Sequence, residues 1–103
     1  MGLTKKDIRV GGYYTVLSSG KIYSIGKCKY LLVRHRNRFR ATGIFPNNQL
    51  YTKCLDVSLD QDSLSEVRHA TQEEIEWVDR CIALGVFAPK PEYVTTINDY
   101  SIF

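Results

Sequence analysis

Apolar positions fall into short, strand-length runs over the first sixty residues and take up a helical period only after residue 70. Residues 8–17 (IRVGGYYTVL) are rich in β-branched and aromatic side chains, with Gly11-Gly12 in their midst. This predicts two strand pieces joined at a bulge or bend. Ser18-Ser19-Gly20 signals a turn, IYSI (22–25) a short strand, and Gly26 a second break. CKYLLVRH (28–35) is the strongest strand signal, and its apolar centre at Tyr30, Leu31, Leu32 and Val33 predicts burial on both faces. FRATGIF (39–45) resumes strand character. Residues 30–45 therefore predict a hairpin turning near Asn37. Pro46-Asn47-Asn48 marks another turn, and residues 49–59 (QLYTKCLDVSL) supply one or two further strands.

The pattern then changes. Asp60-Gln61-Asp62-Ser63 is a polar loop, and residues 66–70 are a connector or a last strand. Thr71-Gln72-Glu73-Glu74 is a capping box that opens a helix over about 72–84, with Gly85 as its stop. On a wheel of 100° per residue, Ile75, Trp77, Val78, Cys81, Ile82 and Leu84 fill one half. Glu76, Asp79, Arg80 and Ala83 fill the other. Phe87-Ala88-Pro89-Lys90-Pro91 must be extended, and YVTTI (93–97) is a terminal strand or an arm. The expected fold is α+β, mainly β. It is a small five- to six-stranded antiparallel barrel or sandwich, of which an SH3-like arrangement is one form, with one C-terminal α-helix. One domain spans 1–103, with a β-rich part at 7–59 and an extended C-terminal tail at 86–103.

Length and composition agree with one modest core: 103 residues, 44% hydrophobic and 24% charged. No apolar run approaches the roughly 20 residues of a membrane span. The start, Met1 to Asp7, lacks the apolar stretch of a secretory signal, and Lys6 stands where a myristoylation signal needs Ser or Thr. Cys28, Cys54 and Cys81 have no C-x-x-C spacing and, with His35 and His69, lack the close ligand pairs of a zinc site. They are expected as free thiols in a reducing compartment, and the protein as cytoplasmic, with no metal and no cofactor.

At the helix, the run Arg68-His69-Ala70-Thr71-Gln72-Glu73-Glu74-Ile75-Glu76-Trp77-Val78-Asp79-Arg80-Cys81-Ile82, followed by Phe87, resembles a recurrent C-terminal segment of small uncharacterised proteins of bacteriophages and mobile elements. In these, a β-rich N-terminal part precedes an R-x-A-T-x-E-E-x-x-W…C-I helix. The resemblance covers about one fifth of the chain. It implies a phage or mobile-element origin, hence a bacterial host cytoplasm, and brings no activity or site residues with it.

Charge is what changes the picture. The net +3 conceals eleven basic residues against Asp7 alone in residues 1–53, and three against ten acidic ones in residues 54–103. Such asymmetry points to a polyanion-binding surface, to a basic partner for the acidic part, or to halves that neutralise each other. The densest feature is Lys27, Lys29, Arg34, Arg36, Arg38 and Arg40, interleaved with Tyr30, His35 and Phe39. Cross-strand arginines repel, and their planar forks suit phosphate oxygens. Tyr13, Tyr14, Tyr23, Tyr30 and Tyr51 add candidate stacking platforms.

Catalytic signals fail one by one. Gly20 to Cys28 has five residues between its glycines where a phosphate loop has four, and Cys28 where Ser or Thr belongs. Ser18-Ser19-Gly20-Lys21 matches S-x-x-K without its companion motifs. A calcium loop counted from Asp60 meets Ser65 and Thr71 where Gly and Glu are required. A Cys28–His35 nucleophile pair has no orienting group. The expectation is therefore a non-enzymatic binding protein with no catalytic residues, gripping nucleic acid or another polyanion with Lys27, Lys29, Arg34, Arg36, Arg38, Arg40, Tyr30 and Phe39. The alternative is a phage anti-defence inhibitor, anti-CRISPR-like, that blocks a host nuclease or other host protein through the basic hairpin or the acidic 60–79 surface. Trp77 is expected in the core, or else as a partner-facing anchor beside Glu73 and Glu76.

Overall fold

The computed structural model of the chain describes residues 3–32, 38–47, 49–59, 65–90 and 101–102. Strands β1 (Tyr13–Ser18), β2 (Lys21–Leu31), β3 (Arg38–Phe45), β4 (Gln49–Ser58) and β5 (Ser65–His69) precede helix α1 (Gln72–Leu84) and a two-residue strand β6 (Ser101–Ile102). The sheet order is β4-β3-β2-β1-β5, every neighbouring pair antiparallel, and β6 lies parallel to the start of β2. The fold is thus α+β and mainly β. The barrel does not close, because β4 and β5 remain its two edges among the described residues. The sheet nevertheless curls: Val57 and Leu59 at one end share a buried cluster with Val67 at the other.

Local chemistry explains the elements. Ser19 and Gly20 both take positive φ (53° and 75°), the geometry a two-residue hairpin loop needs, and Ser18 pairs directly with Lys21 across it. Glycine breaks expected from the sequence behave otherwise at Gly26. It does not end a strand; β2 runs through it, opposite Gly43. A Cβ on Gly43 would stand 2.1 Å from the Ile25 carbonyl oxygen and 2.5 Å from the Gly26 Cα, so the two backbones meet where no side chain fits. The first predicted strand piece is also absent. Residues Lys5–Asp7 form a 3₁₀ turn, Ile8 enters the core, and the amides of Gly11 and Cys28 bond the carbonyls of Cys28 and Gly12 at 2.8 Å.

Side-chain alternation splits the core in two. Leu17, Ile22, Ile25 and Ile44 pack under Trp77, Val78 and Cys81 of α1. Tyr14, Cys28, Phe39, Ala41, Leu59 and Val67 make the second cluster with Ile8, and Leu3 packs against it. The helix matches its expected range. Thr71 Oγ1 accepts from the Glu74 amide at 3.2 Å, Glu74 Oε1 accepts from the Thr71 amide at 2.9 Å, and the Gly85 amide donates to Cys81 and Ile82. Its buried face differs from the wheel. Ile82 and Leu84 are exposed, Leu84 by 56%, while Glu74 is fully buried. The helix meets the sheet along a narrower stripe than the wheel, through Glu74, Trp77, Val78 and Cys81.

Glu74 anchors that contact. Arg68 on β5 approaches it as a fork, Nη1 to Oε1 at 2.8 Å and Nη2 to Oε2 at 3.0 Å, and the Thr15 hydroxyl on β1 donates to Oε1 at 2.9 Å. After α1 the chain folds back, with Phe87 edge-on to Trp77 and the Trp77 indole donating to the Ala88 carbonyl at 2.8 Å. No described helix is long and apolar enough to cross a membrane.

Two stability predictions follow from these contacts. Glu74→Gln places an amide donor against the Arg68 fork and should lower unfolding free energy by about 3 kcal/mol. Gly43→Ala should lower it by about 1–3 kcal/mol through overpacking. Urea unfolding followed by tryptophan fluorescence measures both.

Candidate functional site

The sequence places its cations on β2 and β3, and the register decides which of them act together. Cys28 pairs with Ala41 and Tyr30 with Arg40, leaving Lys29 as the extra residue of a bulge. That bulge reverses the expected burial. Tyr30 turns outward and is 42% exposed, with Lys29 exposed beside it, so the centre of this strand is not buried on both faces. Leu31 and Leu32 are half-buried, and Val33 lies outside the described residues.

Arg38 and Arg40, two apart on β3, share one side of the sheet. Arg38 is exposed. The Arg40 guanidinium lies 5.7 Å from the Tyr30 ring centroid, donates through Nη1 to the Tyr30 hydroxyl at 3.0 Å, and donates through Nε to Asp56 on β4 at 2.7 Å. The Tyr30 hydroxyl and the Asp56 carboxylate together raise the Arg40 pKa above its ordinary value. Asp56 belongs to the acidic half of the chain, so one cation of the basic run is engaged across the halves. Phe39, between the two arginines, is a correction. It is 1% exposed, edge-on to Tyr14 in the second cluster, and unavailable to a ligand because alternate positions of a strand face opposite sides. Arg34, Arg36, His35 and the turn near Asn37 lie outside the described residues, as do the Asp60–Ser63 loop and the 93–97 segment.

Lys27 is drawn elsewhere. Its ammonium sits 5.7 Å from the Tyr13 ring centroid, and the Tyr13 hydroxyl donates to Asp79 of α1. Burial and that carboxylate push the Tyr13 pKa up to about 12. On α1 itself, Glu76 is exposed and Glu73 half-buried. Trp77 is fully buried, which removes it as a partner-facing anchor and fulfils the core expectation. Burial, and secondarily the neighbouring Cys54, pushes the Cys28 thiol up, away from a reactive thiolate. Among the described residues, no group of three His, Cys, Asp or Glu side chains converges as a metal site.

A second feature went unread in the sequence. The curl of the sheet leaves an open groove of about 500 Å³ between the β1–β2 hairpin and the outer part of β4. Val16, Leu17 and Ser18 form one wall, residues 55–58 the other, and Tyr23, Ser24, Phe45 and Tyr51 complete the lining. The rings form a chain, Tyr23 edge-on to Phe45 at 5.4 Å and Phe45 tilted on Tyr51 at 4.8 Å. Tyr23 is 43% and Leu55 40% exposed. Tyr51 is buried, and desolvation pushes its pKa up to about 12. Of the five tyrosines read as platforms, Tyr14 and Tyr51 are thus buried and Tyr13 is bonded to the helix, whereas Tyr23 and Tyr30 are partly exposed.

No family model matches the chain, and neither a curated protein nor a solved structure matches it.

The two late tyrosines give a pH signature. Tyr13 and Tyr51 keep their protons until about pH 12 in the folded protein, whereas unfolded tyrosines lose theirs near pH 10. The folded state binds more protons in that window, so stability should fall as pH rises from about 10 toward 12. Absorbance titration of phenolate should show a delayed phase that disappears in urea.

Proposed function

We propose that this chain is a non-enzymatic, phage-encoded binding protein that grips the backbone of nucleic acid, or another polyanion, through the outward side of β2 and β3. The observation that carries this reading is the bulge at Lys29, which leaves Lys29, Tyr30 and Arg38 exposed and sets the Arg40 guanidinium over the Tyr30 ring. Lys29 and Arg38 are the cations for phosphate oxygens. Tyr30, held by Arg40, supplies a fixed aromatic edge beside them. Contacts of this kind position a backbone and carry little sequence information. Arg34 and Arg36 stand next in the chain to the same strand ends and extend the run of cations.

One observation favours a second reading, a phage anti-defence inhibitor that docks on a host protein. The last turn of α1 and the second residue beyond it expose Ile82, Leu84 and Val86, and the helix also exposes Glu76 and Asp79. An apolar tip on an acidic helix suits a protein surface better than a phosphate backbone.

Fluorescence anisotropy with single- and double-stranded DNA and RNA separates the two. Binding through three or four phosphate contacts should weaken roughly 40- to 150-fold on duplex and roughly 20- to 50-fold on single strands between about 50 and 200 mM salt. The Lys29→Glu/Arg38→Glu variant should lose that binding and its salt slope. Affinity unchanged in this variant overturns the first reading. Absence of binding to every nucleic acid, with a host protein retained by wild type and lost in Leu84→Asp, establishes the second.

A further inference from the structure

We infer that the N-terminal turn supplies the second half of the nucleic-acid grip: a phosphate backbone crosses β2 at residues 29–32, meeting Lys6 and Arg9 on one edge and Arg38 on the other. This rests on the backbone-gripping role proposed for β2 and β3, and draws its added cations from a distant part of the sequence. Hydrogen bonds carry them there. The Cys28 carbonyl accepts from the Gly11 amide, and the Cys28 amide donates to the Gly12 carbonyl, both at 2.8 Å. These bonds seat the Arg9–Gly12 turn, closed by the Gly12 amide on the Arg9 carbonyl at 2.9 Å, next to the bulged Lys29. Farther along, the Lys5 ammonium donates to the Leu32 carbonyl at 2.6 Å. Residues 11–12 lead directly into β1, so this segment follows the β1 edge of β2, whereas β3 follows the other edge. Phe39 pairs with Leu31, which brings Arg38 level with Leu32, the residue that Lys5 reaches from the opposite edge.

Charge and its presentation select the occupant. Lys6, Arg9, Lys29 and Arg38 are all exposed. Arg9 Nη1 donates to the Lys6 and Ile8 carbonyls at 2.7 and 3.2 Å, so neutral acceptors fix the guanidinium without cancelling its charge. Asp7, the one acid in residues 1–53, accepts from the Thr4 amide at 2.8 Å and the Thr4 hydroxyl at 3.1 Å, and so is turned back on its own turn. Neighbouring strands lie ~4.8 Å apart, so cations on the two edges of β2 stand on the order of 10 Å apart. A lone anion meets one side of that span, and a chain of linked phosphates meets both. An acidic peptide also carries linked anions. Tyr30, 42% exposed within the crossing, favours the nucleotide, because its ring gives a sugar or base an apolar contact that a carboxylate does not use.

Fluorescence anisotropy with single-stranded oligothymidylate, read between about 50 and 200 mM salt, tests this. On a single strand each lost phosphate contact flattens the salt slope by about 0.7. Lys6→Ala/Arg9→Ala should therefore flatten it by about 1.4, shrinking the loss of affinity across that salt range roughly 7-fold. Lys6→Arg/Arg9→Lys should keep the wild-type slope, and so should Lys21→Ala/Lys53→Ala, which removes two exposed cations elsewhere. Where Arg9→Ala loosens the turn, Lys6→Ala alone should still flatten the slope by about 0.7. If Lys6→Ala/Arg9→Ala matches wild type while Lys29→Glu/Arg38→Glu abolishes binding, the crossing path is overturned and the β2–β3 grip stands. If wild type binds no strand, the grip fails and the path with it. A polyglutamate of equal charge, bound as tightly as oligothymidylate and released by the same two substitutions, assigns this end to an acidic protein and overturns the inference. A slope flattened equally by Lys21→Ala/Lys53→Ala means that net charge alone acts, and overturns it too.

Discussion

One buried carboxylate holds the helix to the sheet. A lone charge with the exposure of Glu74 would be strongly disfavoured, and it is retained because every side of it meets a donor: the fork of Arg68, the hydroxyl of Thr15 and the amide of Thr71. Those donors come from β5, β1 and the helix cap, so three elements distant in sequence share one anchor point. The position of Trp77, Val78 and Cys81 over Leu17, Ile22, Ile25 and Ile44 depends on where that anchor sets the first turn of α1. Apolar packing supplies the larger share of the free energy, but it is non-directional. The ionic node supplies the direction.

The same node shows where reading from sequence succeeds and where it stops. The helix limits were readable because the capping box and Gly85 are local devices, decided within a few residues. The Ser19-Gly20 hairpin was readable for the same reason. Glu74 looked like a capping residue alone, since its second role needs Thr15, fifty-nine positions away. The wheel misplaced Ile82 and Leu84 because periodicity gives a face and not its width: the buried stripe is narrow, and both residues flank it. Lys29 defeated the expected burial of Tyr30: one bulged residue moves every later side chain to the other side. Phe39 was grouped with its basic neighbours by adjacency in sequence, although alternation sends it inward. The groove was unreadable because Tyr23, Phe45 and Tyr51 come from three strands and meet only through the register in which those strands pair.

Leaving the sheet open shapes its chemistry. A closed barrel of this size fills its interior with side chains, whereas here the incomplete curl keeps a lined recess between β1 and β4. Among the described residues it also leaves β4 as a long edge, which invites unwanted strand addition. That edge is interrupted: three residues, 52–54, stand opposite Thr42 alone, and the exposed Lys53 lies among them. A charge at a kink discourages a neighbouring chain from pairing along the whole strand, while the stretch beyond it, from Leu55 on, stays regular and lines the recess.

The backbone carbonyl of Ala88 accepts from both the indole of Trp77 and the thiol of Cys81, and the Ala88 amide returns a bond to the same sulfur. Trp77 is the single tryptophan in the chain. Its emission colour consequently responds to release of the post-helical segment, which would loosen the cover over the indole and over Cys81 together. The molecule carries its own paired optical and chemical gauge of that unlatching.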